Sequence, residues 1–332
     1  MENIVVYKVD LERKGRITQL PDSQKIFGTL IYQYLNRNSN EKVDALIEKI
    51  QKNYLAISNI IPEGYIPTPK EFLMEKISEK EKGSNLKEFY KEIKKRDYIP
   101  LNELFHLMEH RKRINDTPYI SMEKIQQLHI CIDELIYGIP GMESSLYSVP
   151  EVLVKKYSGN KLQKKEEVFK FSFYIAFDNK ELEKEIMYLL EMLKEEKDIL
   201  CMGARGSQGL NLYQIMSYKK DNLYSSKHTK TYLNLGMLLP NKINYKDSYL
   251  TSFMSERRPY DGIGLGKMEE RYFITFLNAG SVIEMDDGIS IKEAGQIIPS
   301  KFDEKSVVFG NSFLYPIYGL KEGEIDEKIK ET

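Results

Sequence analysis

The sequence has 332 residues, of which 41% are hydrophobic and 30% are charged. This composition excludes a disordered chain, a collagen and a coiled coil. No apolar run approaches the roughly 18 residues that cross a bilayer, so we expect neither a transmembrane helix nor a membrane partner. The first ten residues lack the pattern of a signal peptide, and two cysteines cannot build a disulfide framework. We therefore expect a cytoplasmic protein.

The charges of the chain nearly cancel. The formal net charge is −1, because 49 lysines and arginines balance 50 aspartates and glutamates. Any binding to nucleic acid must therefore come from local clusters of basic residues. Such clusters occur at residues 110–113, 155–165, 219–230 and 257–258. One basic run is usually a solvated surface, but four runs that are separated in the sequence modestly favour a shared binding groove.

The first part of the chain predicts a strand, a helix and a second strand. Hydrophobic and polar residues alternate over residues 4–12, which is the period of a strand. Apolar residues then recur at helical spacing over residues 27–35, and they follow Asp22 and Ser23, whose side chains can cap a first turn. A second strand is predicted near residues 54–61.

The next segment predicts a helical insertion. Prolines interrupt the chain, and residues 72–96 and 101–113 then combine high charge with helical spacing. We interpret residues from about 62 to 145 as an insertion rather than a separate domain, because their apolar content is low. Such a surface suits contacts with other proteins.

A hairpin arm is predicted over residues 146–171. Valines at both outer ends favour strands, and Ser-Gly-Asn at residues 158–160 supplies a turn. Charge alone leaves an ordinary solvated hairpin equally open. The lysines around the turn give the arm a positive tip: Lys155, Lys156, Lys161, Lys164 and Lys165.

Residues 167–177 have the clearest strand pattern, with phenylalanines that repeat on one face. Asp178 or Asn179 then caps the helix that follows. A glycine-rich loop at residues 203–209 leads into another strand. Strand, helix and strand, then the insertion, then strand, helix and strand predict an α+β, ferredoxin-like lobe over residues 1–220.

The remainder of the chain, residues 221–332, predicts a second, strand-rich lobe. Short β-branched and aromatic runs follow one another here between turn residues. No repeat of fixed period relates this lobe to the first one.

The glycine-rich loop, Gly-Ala-Arg-Gly-Ser-Gln-Gly at residues 203–209, is the most informative motif. No Gly-Lys-Ser/Thr follows, so it is not the phosphate loop of a nucleoside triphosphatase. A dinucleotide fingerprint leads from a strand into a helix, whereas here a helix leads into a strand. Glycines let backbone amides approach a phosphodiester, and Arg205 can bind a phosphate or stack on a base. A plain turn is the equally open alternative.

One catalytic motif is weakly indicated, and a nucleophilic site is not. His106, Glu109 and His110 match an inverted zincin pattern, which places both imidazoles on one face of a helix. A third ligand is not apparent, since only His129 and His228 remain as histidines. Neither cysteine is beside a histidine, and no Gly-x-Ser-x-Gly occurs. We therefore predict no metal, no cofactor and no catalytic residue.

Two segments carry a resemblance to a known family. Residues 20–31, Leu-Pro-Asp-Ser-Gln-Lys-Ile-Phe-Gly-Thr-Leu-Ile, resemble the first-helix signature of the CRISPR RAMP proteins. Residues 203–210 resemble their glycine-rich loop, although Ala204 and Gln208 replace the more usual glycine or lysine and serine. The layout is similar to that of the Csm subunit that caps the 5′ end of the guide RNA in type III-A effector complexes.

The resemblance implies two ferredoxin-like lobes, with a large helical insertion in the first. It implies a non-catalytic subunit that holds the repeat-derived 5′ handle of the crRNA in antiviral defence. It also implies contacts with the large polymerase-like signalling subunit and with a backbone RAMP subunit. The residues then expected to contact RNA are Ser23, Lys25, Lys155, Lys156, Lys161, Gly203, Arg205, Gly206, Ser207, Gln208 and Gly209.

Two alternatives remain. One is a metal-independent CRISPR repeat endonuclease, which needs a histidine or an equivalent group near the first helix. No histidine precedes His106, which counts against this activity. The other alternative, from a different class, is a zinc hydrolase that uses Glu109.

Overall fold

The computed structural model describes residues 4–78, 86–108, 114–131, 145–158, 165–224, 229–257, 272–301 and 306–317. The α-helices in these ranges are α1 (Ser23–Leu35), α2 (Asn40–Lys52), α3 (Lys70–Ser78), α4 (Leu86–Lys95), α5 (Leu101–Met108) and α6 (Lys180–Glu195). None of these helices is both long and apolar enough to cross a membrane.

The strands follow one another along the whole described chain. The first eight are β1 (Val5–Arg13), β2 (Leu55–Ile57), β3 (Ile61–Pro62), β4 (Tyr65–Pro67), β5 (Tyr98–Pro100), β6 (Tyr119–Cys131), β7 (Ser145–Tyr157) and β8 (Lys165–Glu167). The others are β9 (Lys170–Phe177), β10 (Ile199–Cys201), β11 (Leu212–Asp221), β12 (Thr231–Asn234), β13 (Asn244–Tyr249), β14 (Ser252–Arg257), β15 (Tyr272–Leu277), β16 (Val282–Glu284), β17 (Ile297–Pro299), β18 (Val307–Phe309) and β19 (Leu314–Pro316). The predicted mixture of helices and antiparallel strands is confirmed.

The main sheet has the strand order β10-β11-β1-β9-β2, and β3 pairs with the far end of β9. All of these pairs are antiparallel. Helices α1 and α2 connect β1 to β2, and α6 leads from β9 to β10 and β11. Two strand–helix–strand segments therefore interleave in one sheet, and β1 and β9 lie at its centre.

The core lies between this sheet and its helices. Each of the inward-facing residues of β9 is at most 1% exposed: Phe171, Phe173, Ile175 and Phe177. α6 covers them with an apolar stripe at helical spacing, Leu182, Ile186, Leu189, Leu190 and Leu193. Burial of these large side chains is the main stabilising contribution to this part of the fold.

Both predicted helix caps are confirmed. The Asp22 carboxylate accepts a hydrogen bond from the backbone amide of Lys25 at 2.9 Å, at the start of α1. The Asn179 carboxamide accepts hydrogen bonds from the amides of Glu181 and Leu182, each at 3.0 Å, at the start of α6. Each cap satisfies amides of the first turn that have no partner within the helix.

The insertion differs from the predicted helical one. It contains α3, α4 and α5, but also β6 and β7, which pair along their whole length from Tyr119 and Tyr157 to Cys131 and Ser145. The sequence analysis placed β6 among helices because burial alternates only weakly along this exposed ribbon, so its apolar period is faint. Strands β4-β5-β6-β7-β8 form one five-stranded sheet in this order. The arm predicted over residues 146–171 is therefore part of that sheet, and the longest partner of β7 is β6, which lies outside the predicted range.

The residues after Asp221, which we call the second half of the chain, are strand-rich and pack against the residues before them, the first half. Its sheet has the order β13-β16-β12-β19, beside the ribbons β14-β15 and β17-β18. In the described residues after Asp221, the only helical element is a 3₁₀ turn. Phe27 of α1 stacks on Phe309 with ring centroids 4.4 Å apart, and Tyr174 of β9 stacks on Phe313 at 5.0 Å. Aromatic contacts thus join the two halves.

Candidate nucleic-acid interface

The glycine-rich loop, residues 203–209, has a backbone that glycine favours. Gly203 and Gly209 have φ angles of +148° and +75°, and Arg205 is left-handed at 64°. A 3₁₀ turn follows, in which the Gln208 amide donates to the Arg205 carbonyl at 3.0 Å. The amides of Arg205, Gly206 and Ser207 donate to no atom of the described residues. Successive unpaired amides at such a turn can bind an anion.

Asn211 ties this loop to the connection between β1 and α1. It is fully buried, with a left-handed φ of 55°. Its Nδ2 donates to Thr18 Oγ1 at 2.8 Å and to the Ala204 carbonyl at 2.9 Å, and its Oδ1 accepts from the Thr18 amide at 2.9 Å. Its own amide donates to the Arg16 carbonyl at 2.8 Å. One buried side chain therefore fixes the two loops relative to each other.

Gly15 allows the same two loops to approach closely. A Cβ atom at Gly15 would lie 2.1 Å from the carbonyl oxygen of Gly209, which is far inside van der Waals contact. The Lys14 amide donates to the Leu212 carbonyl at 2.9 Å, and Arg16 forms an isolated parallel bridge with Leu210. The glycine is thus required by a backbone contact rather than by its dihedral angles.

A cleft of about 360 Å³ opens where the two loops meet the β6–β7 hairpin. The Val152 amide donates to the Ile17 carbonyl at 2.7 Å, which fixes β7 beside the β1–α1 connection. The polar side chains that line the cleft are Arg16, Thr18, Gln127, Glu151 and Gln208. Three segments that are far apart in the sequence therefore form one site, which we call the loop cleft.

The two arginines of the loop cleft differ in how far they are neutralised. Arg205 is exposed and makes no ion pair with any described residue. The Arg16 side chain is 60% exposed, donates to Gln127 Oε1 at 2.5 Å and lies 3.6 Å from the Glu151 carboxylate. Gln127 also donates to Glu151 at 2.7 Å. Arg205 is therefore the cation that is most available to an anionic ligand.

Two of the residues expected to contact RNA lie elsewhere. Ser23 is fully buried, and its hydroxyl accepts a hydrogen bond from the Met237 amide at 3.1 Å. It therefore joins the two halves of the protein and has no surface to offer an RNA. Lys25 forms an ion pair with Asp22 at 2.6 Å and lines a different cavity. The capping role of the neighbouring Asp22 explains this pairing.

The lysines of the arm are less available than their number suggests. Lys155 forms an ion pair with Glu123 of β6 at 2.6 Å, and the Lys156 ammonium lies 5.9 Å from the centroid of the Tyr65 ring. Lys161 lies outside the described residues, as do Lys164 and most of the predicted turn. Glu123 therefore cancels part of the positive charge of the arm. It lies on β6, in the region where the sequence predicts helices.

An aromatic stack, a cation–π contact and a hydrogen bond hold the base of the arm. The rings of Tyr119 and Tyr157 stack at 4.8 Å, and the Arg96 guanidinium lies 4.3 Å from the Tyr119 centroid. The Tyr157 hydroxyl donates to the Glu123 carboxylate at 2.6 Å. Burial, together with that hydrogen bond and the negative charge of Glu123, raises the pKa of Tyr157 to about 12.

The weak catalytic motif is only partly placed. His106 lies on α5, whereas Glu109 and His110 lie outside the described residues. In the part of the chain that the structure describes, no three histidine, cysteine or acidic side chains are grouped as metal ligands would be.

Three residues of the loop cleft were not foreseen. Asn211, Gln127 and Glu151 act through contacts with the β1–α1 connection, from which each is 111 or more residues away along the chain. Nothing in the local sequence marks them. Arg16 had a signal, since it follows the only glycine of the β1–α1 connection.

Comparison with known proteins identifies the fold. No protein-family model and no curated protein sequence matches the chain. A chain from the crystal structure of the Csm1-Csm4 cassette in complex with cA4 matches it with a TM-score of 0.55 at 15% identity, covering 96% of this chain and 100% of that chain. A chain from the Csm3-Csm4 subcomplex of the type III-A CRISPR-Cas interference complex matches with a TM-score of 0.58 at 13% identity, covering 95% and 100%. The matched chains are Csm4, so the predicted resemblance is confirmed in the fold.

Proposed function

We propose that this chain is a Csm4-type RAMP subunit of a type III-A CRISPR effector complex, since it shares its fold with Csm4 over nearly its whole length. In this role it binds the repeat-derived 5′ handle of a crRNA and does not cleave it. The proposal keeps two ferredoxin-like lobes, residues 1–220 and 221–332. The interleaved strand order of the main sheet supports the first of them.

The observation that carries RNA binding is the combination of unpaired amides and an unpaired arginine at the loop cleft. The amides of Arg205, Gly206 and Ser207 have no acceptor among the described residues, and the Arg205 side chain has no counter-ion there. A phosphate oxygen of single-stranded RNA supplies the missing acceptor and the missing negative charge. Gln208 adds a neutral hydrogen-bonding group for a ribose or a base edge.

The same cleft favours binding over catalysis. Cleavage of RNA without a metal needs a group that removes a proton and a second group that protonates the leaving oxygen. Among the described lining residues the only carboxylate is Glu151, and it is engaged by Arg16 and Gln127. Beside Glu151, the described lining offers no second acid–base group for such a step.

Two kinds of protein partner follow from the proposal. The matched chains come from a Csm1-Csm4 cassette and a Csm3-Csm4 subcomplex. We infer corresponding partners here, a large polymerase-like signalling subunit and a backbone RAMP subunit. We propose that exposed residues of α3 and α4 in the insertion form one of these contacts.

Purification of the tagged chain from its host, followed by sequencing of the bound small RNAs, tests the proposal. We expect RNAs that share one 5′ end, and we expect their yield to fall strongly in Arg205→Ala and in Gly206→Asp. Lys52→Ala is the matched control, since it removes an exposed cation of α2 that lies outside the loop cleft. Small RNAs with scattered 5′ ends, or equal yields in all variants, would contradict the proposal.

A further inference from the structure

A second cavity, of about 510 Å³, lies at the seam between the start of α1 and the second half of the chain. We call it the seam cavity. Its size is in the range of cavities that bind small molecules or single nucleotides. The lining side chains that the argument uses are Asp22, Lys25, Asn59, Phe253, Ser255 and Asn278.

The charges of the seam cavity cancel. The Lys25 ammonium lies 2.6 Å from an oxygen of Asp22, so neither charge is free to bind an ionic ligand. The cavity is otherwise lined by three carboxamides, one hydroxyl and apolar groups. One of these carboxamides, that of Gln24, donates to the Phe309 carbonyl at 2.9 Å. It therefore suits a neutral ligand that forms hydrogen bonds and has an apolar face, rather than a phosphate or a metal ion.

Two asparagines present hydrogen-bonding groups in fixed positions. Asn59 Oδ1 accepts from the Ser23 amide at 2.8 Å, which leaves Nδ2 as a donor without a partner among the described residues. The Asn278 backbone is held by its amide donating to the Thr251 carbonyl at 2.8 Å, while its carboxamide bonds to no described residue. A carboxamide offers a donor and an acceptor side by side, which matches the edge of a nucleobase.

An aromatic ring supplies a flat apolar surface beside these amides. Phe253 lines the seam cavity, is partly exposed and is held against Phe276 with ring centroids 5.9 Å apart. Unstacked bases of RNA are commonly bound by stacking on such rings together with hydrogen bonds to their edges.

We propose that the seam cavity binds one unstacked nucleobase of the RNA whose backbone lies in the loop cleft. This inference rests on the proposed function. Thr18 lines the loop cleft and Asp22 lines the seam cavity, so their Cα atoms are at most about 14 Å apart along four residues of chain. A single RNA strand spans that distance within a few nucleotides. The loop cleft then binds phosphate, and the seam cavity reads a base.

The test compares two probes that carry the same backbone charge, an eight-nucleotide oligoadenylate and an eight-unit abasic ribose phosphate. We expect the full-length protein to bind oligoadenylate about ten-fold more tightly in fluorescence anisotropy, as expected for one stacked and hydrogen-bonded base. Asn278→Ala should remove most of that ratio. Asn59→Asp should also reduce it, since it keeps the acceptor for the Ser23 amide but loses the donor.

The ratio of affinities cancels any general effect of a variant on folding or on charge. Asn102→Ala, an exposed asparagine of α5, is the control and should keep the full ratio. A ratio that is the same in wild type, Asn278→Ala and Asn59→Asp overturns the inference and leaves RNA binding at the loop cleft intact. If the wild type binds neither probe, the proposed function fails, and the inference fails with it.

Discussion

The loop cleft and the hairpin arm carry similar sequence signals for RNA but differ in how their charges are used. In the loop cleft, Arg205 and its neighbouring amides have no partners among the described residues. In the arm, Lys155 is paired with Glu123 and Lys156 lies over an aromatic ring. The number of lysines therefore overstates the positive charge that the arm offers to an RNA. Arg205 in the glycine-rich loop is the more available cation.

The two regions are also held by different chemistry. Asn211 anchors the loop cleft through neutral amide hydrogen bonds, which do not titrate. Tyr157 and Glu123 anchor the arm through a hydrogen bond between a phenol and a carboxylate. We therefore expect substitutions to separate the two regions by affinity, and alkaline pH to separate them by stability.

The largest expected effect is that of Asn211→Ala. It removes the hydrogen-bond partners of the Thr18 amide and of the Ala204 carbonyl. It also places alanine at a φ of 55°, where its Cβ strains the backbone and no side-chain hydrogen bond offsets that strain. We expect a loss of about 3 kcal/mol in the free energy of unfolding, measured by urea titration. Asn211→Gly, which accepts the left-handed backbone, should recover about 1 kcal/mol. Equal stability of the wild type and the alanine variant would contradict the assigned role.

Gly15→Ala should come next. Its Cβ would meet the Gly209 carbonyl oxygen at 2.1 Å, so the two loops must separate. We expect about 2 kcal/mol of destabilisation together with weaker RNA binding. Gly28→Ala in α1 is the matched control, because its Cβ meets nothing within 4 Å and alanine favours a helix by about 1 kcal/mol. An unchanged RNA affinity in Gly15→Ala would show that the spacing of the loops is irrelevant to binding.

Arg205→Ala and Lys155→Ala compare the two regions directly. The first variant should weaken RNA binding about ten-fold, and the slope of log affinity against log salt should become shallower by about 0.7, as for one lost phosphate contact. The second should change affinity less than about two-fold, since Lys155 is already neutralised by Glu123. Anisotropy titrations over a range of salt concentrations measure both. A larger effect at Lys155 would reverse the comparison.

Tyr157→Phe should have the smallest effect. The pKa of Tyr157 is raised to about 12 by burial and by its bond to Glu123, against about 10 for an unfolded tyrosine. The folded state therefore holds the phenolic proton longer, and the stability from this bond is complete below pH 10 and is lost between pH 10 and 12. Urea unfolding at several alkaline pH values should give a shallower fall in Tyr157→Phe. If the unfolding free energy of both proteins fell in parallel with pH, the hydrogen bond between Tyr157 and Glu123 would make no contribution to stability.

Local sequence patterns predicted the elements whose signals are strong over short distances. The alternation in β1, the phenylalanines of β9 and the caps at Asp22 and Asn179 lie within single elements. The glycine-rich loop was also recognised, because its glycines and Arg205 are adjacent in sequence. Each of these features can be predicted from residues that are close together in the sequence.

Other features depend on contacts that sequence periodicity does not report. The sequence analysis does not predict α2, although Val43, Leu46 and Ile50 repeat at helical spacing, because α1 alone connects β1 to β2 in the expected order. The sequence analysis predicts β6 as part of a helical insertion, because hydrophobic and polar residues alternate only weakly along an exposed ribbon. The role of Asn211 follows from a segment nearly 200 residues away, so no local pattern could reveal it.

Ultraviolet crosslinking of the assembled ribonucleoprotein, followed by mass spectrometry of the crosslinked peptides, tests most directly the claim that RNA binds at the loop cleft. The account predicts that crosslinks are concentrated on residues 203–209 and on the β1–α1 connection around Arg16, and that they are lost from these peptides in Arg205→Ala. Crosslinks confined to the arm and to other surfaces, with none on residues 203–209, would contradict it.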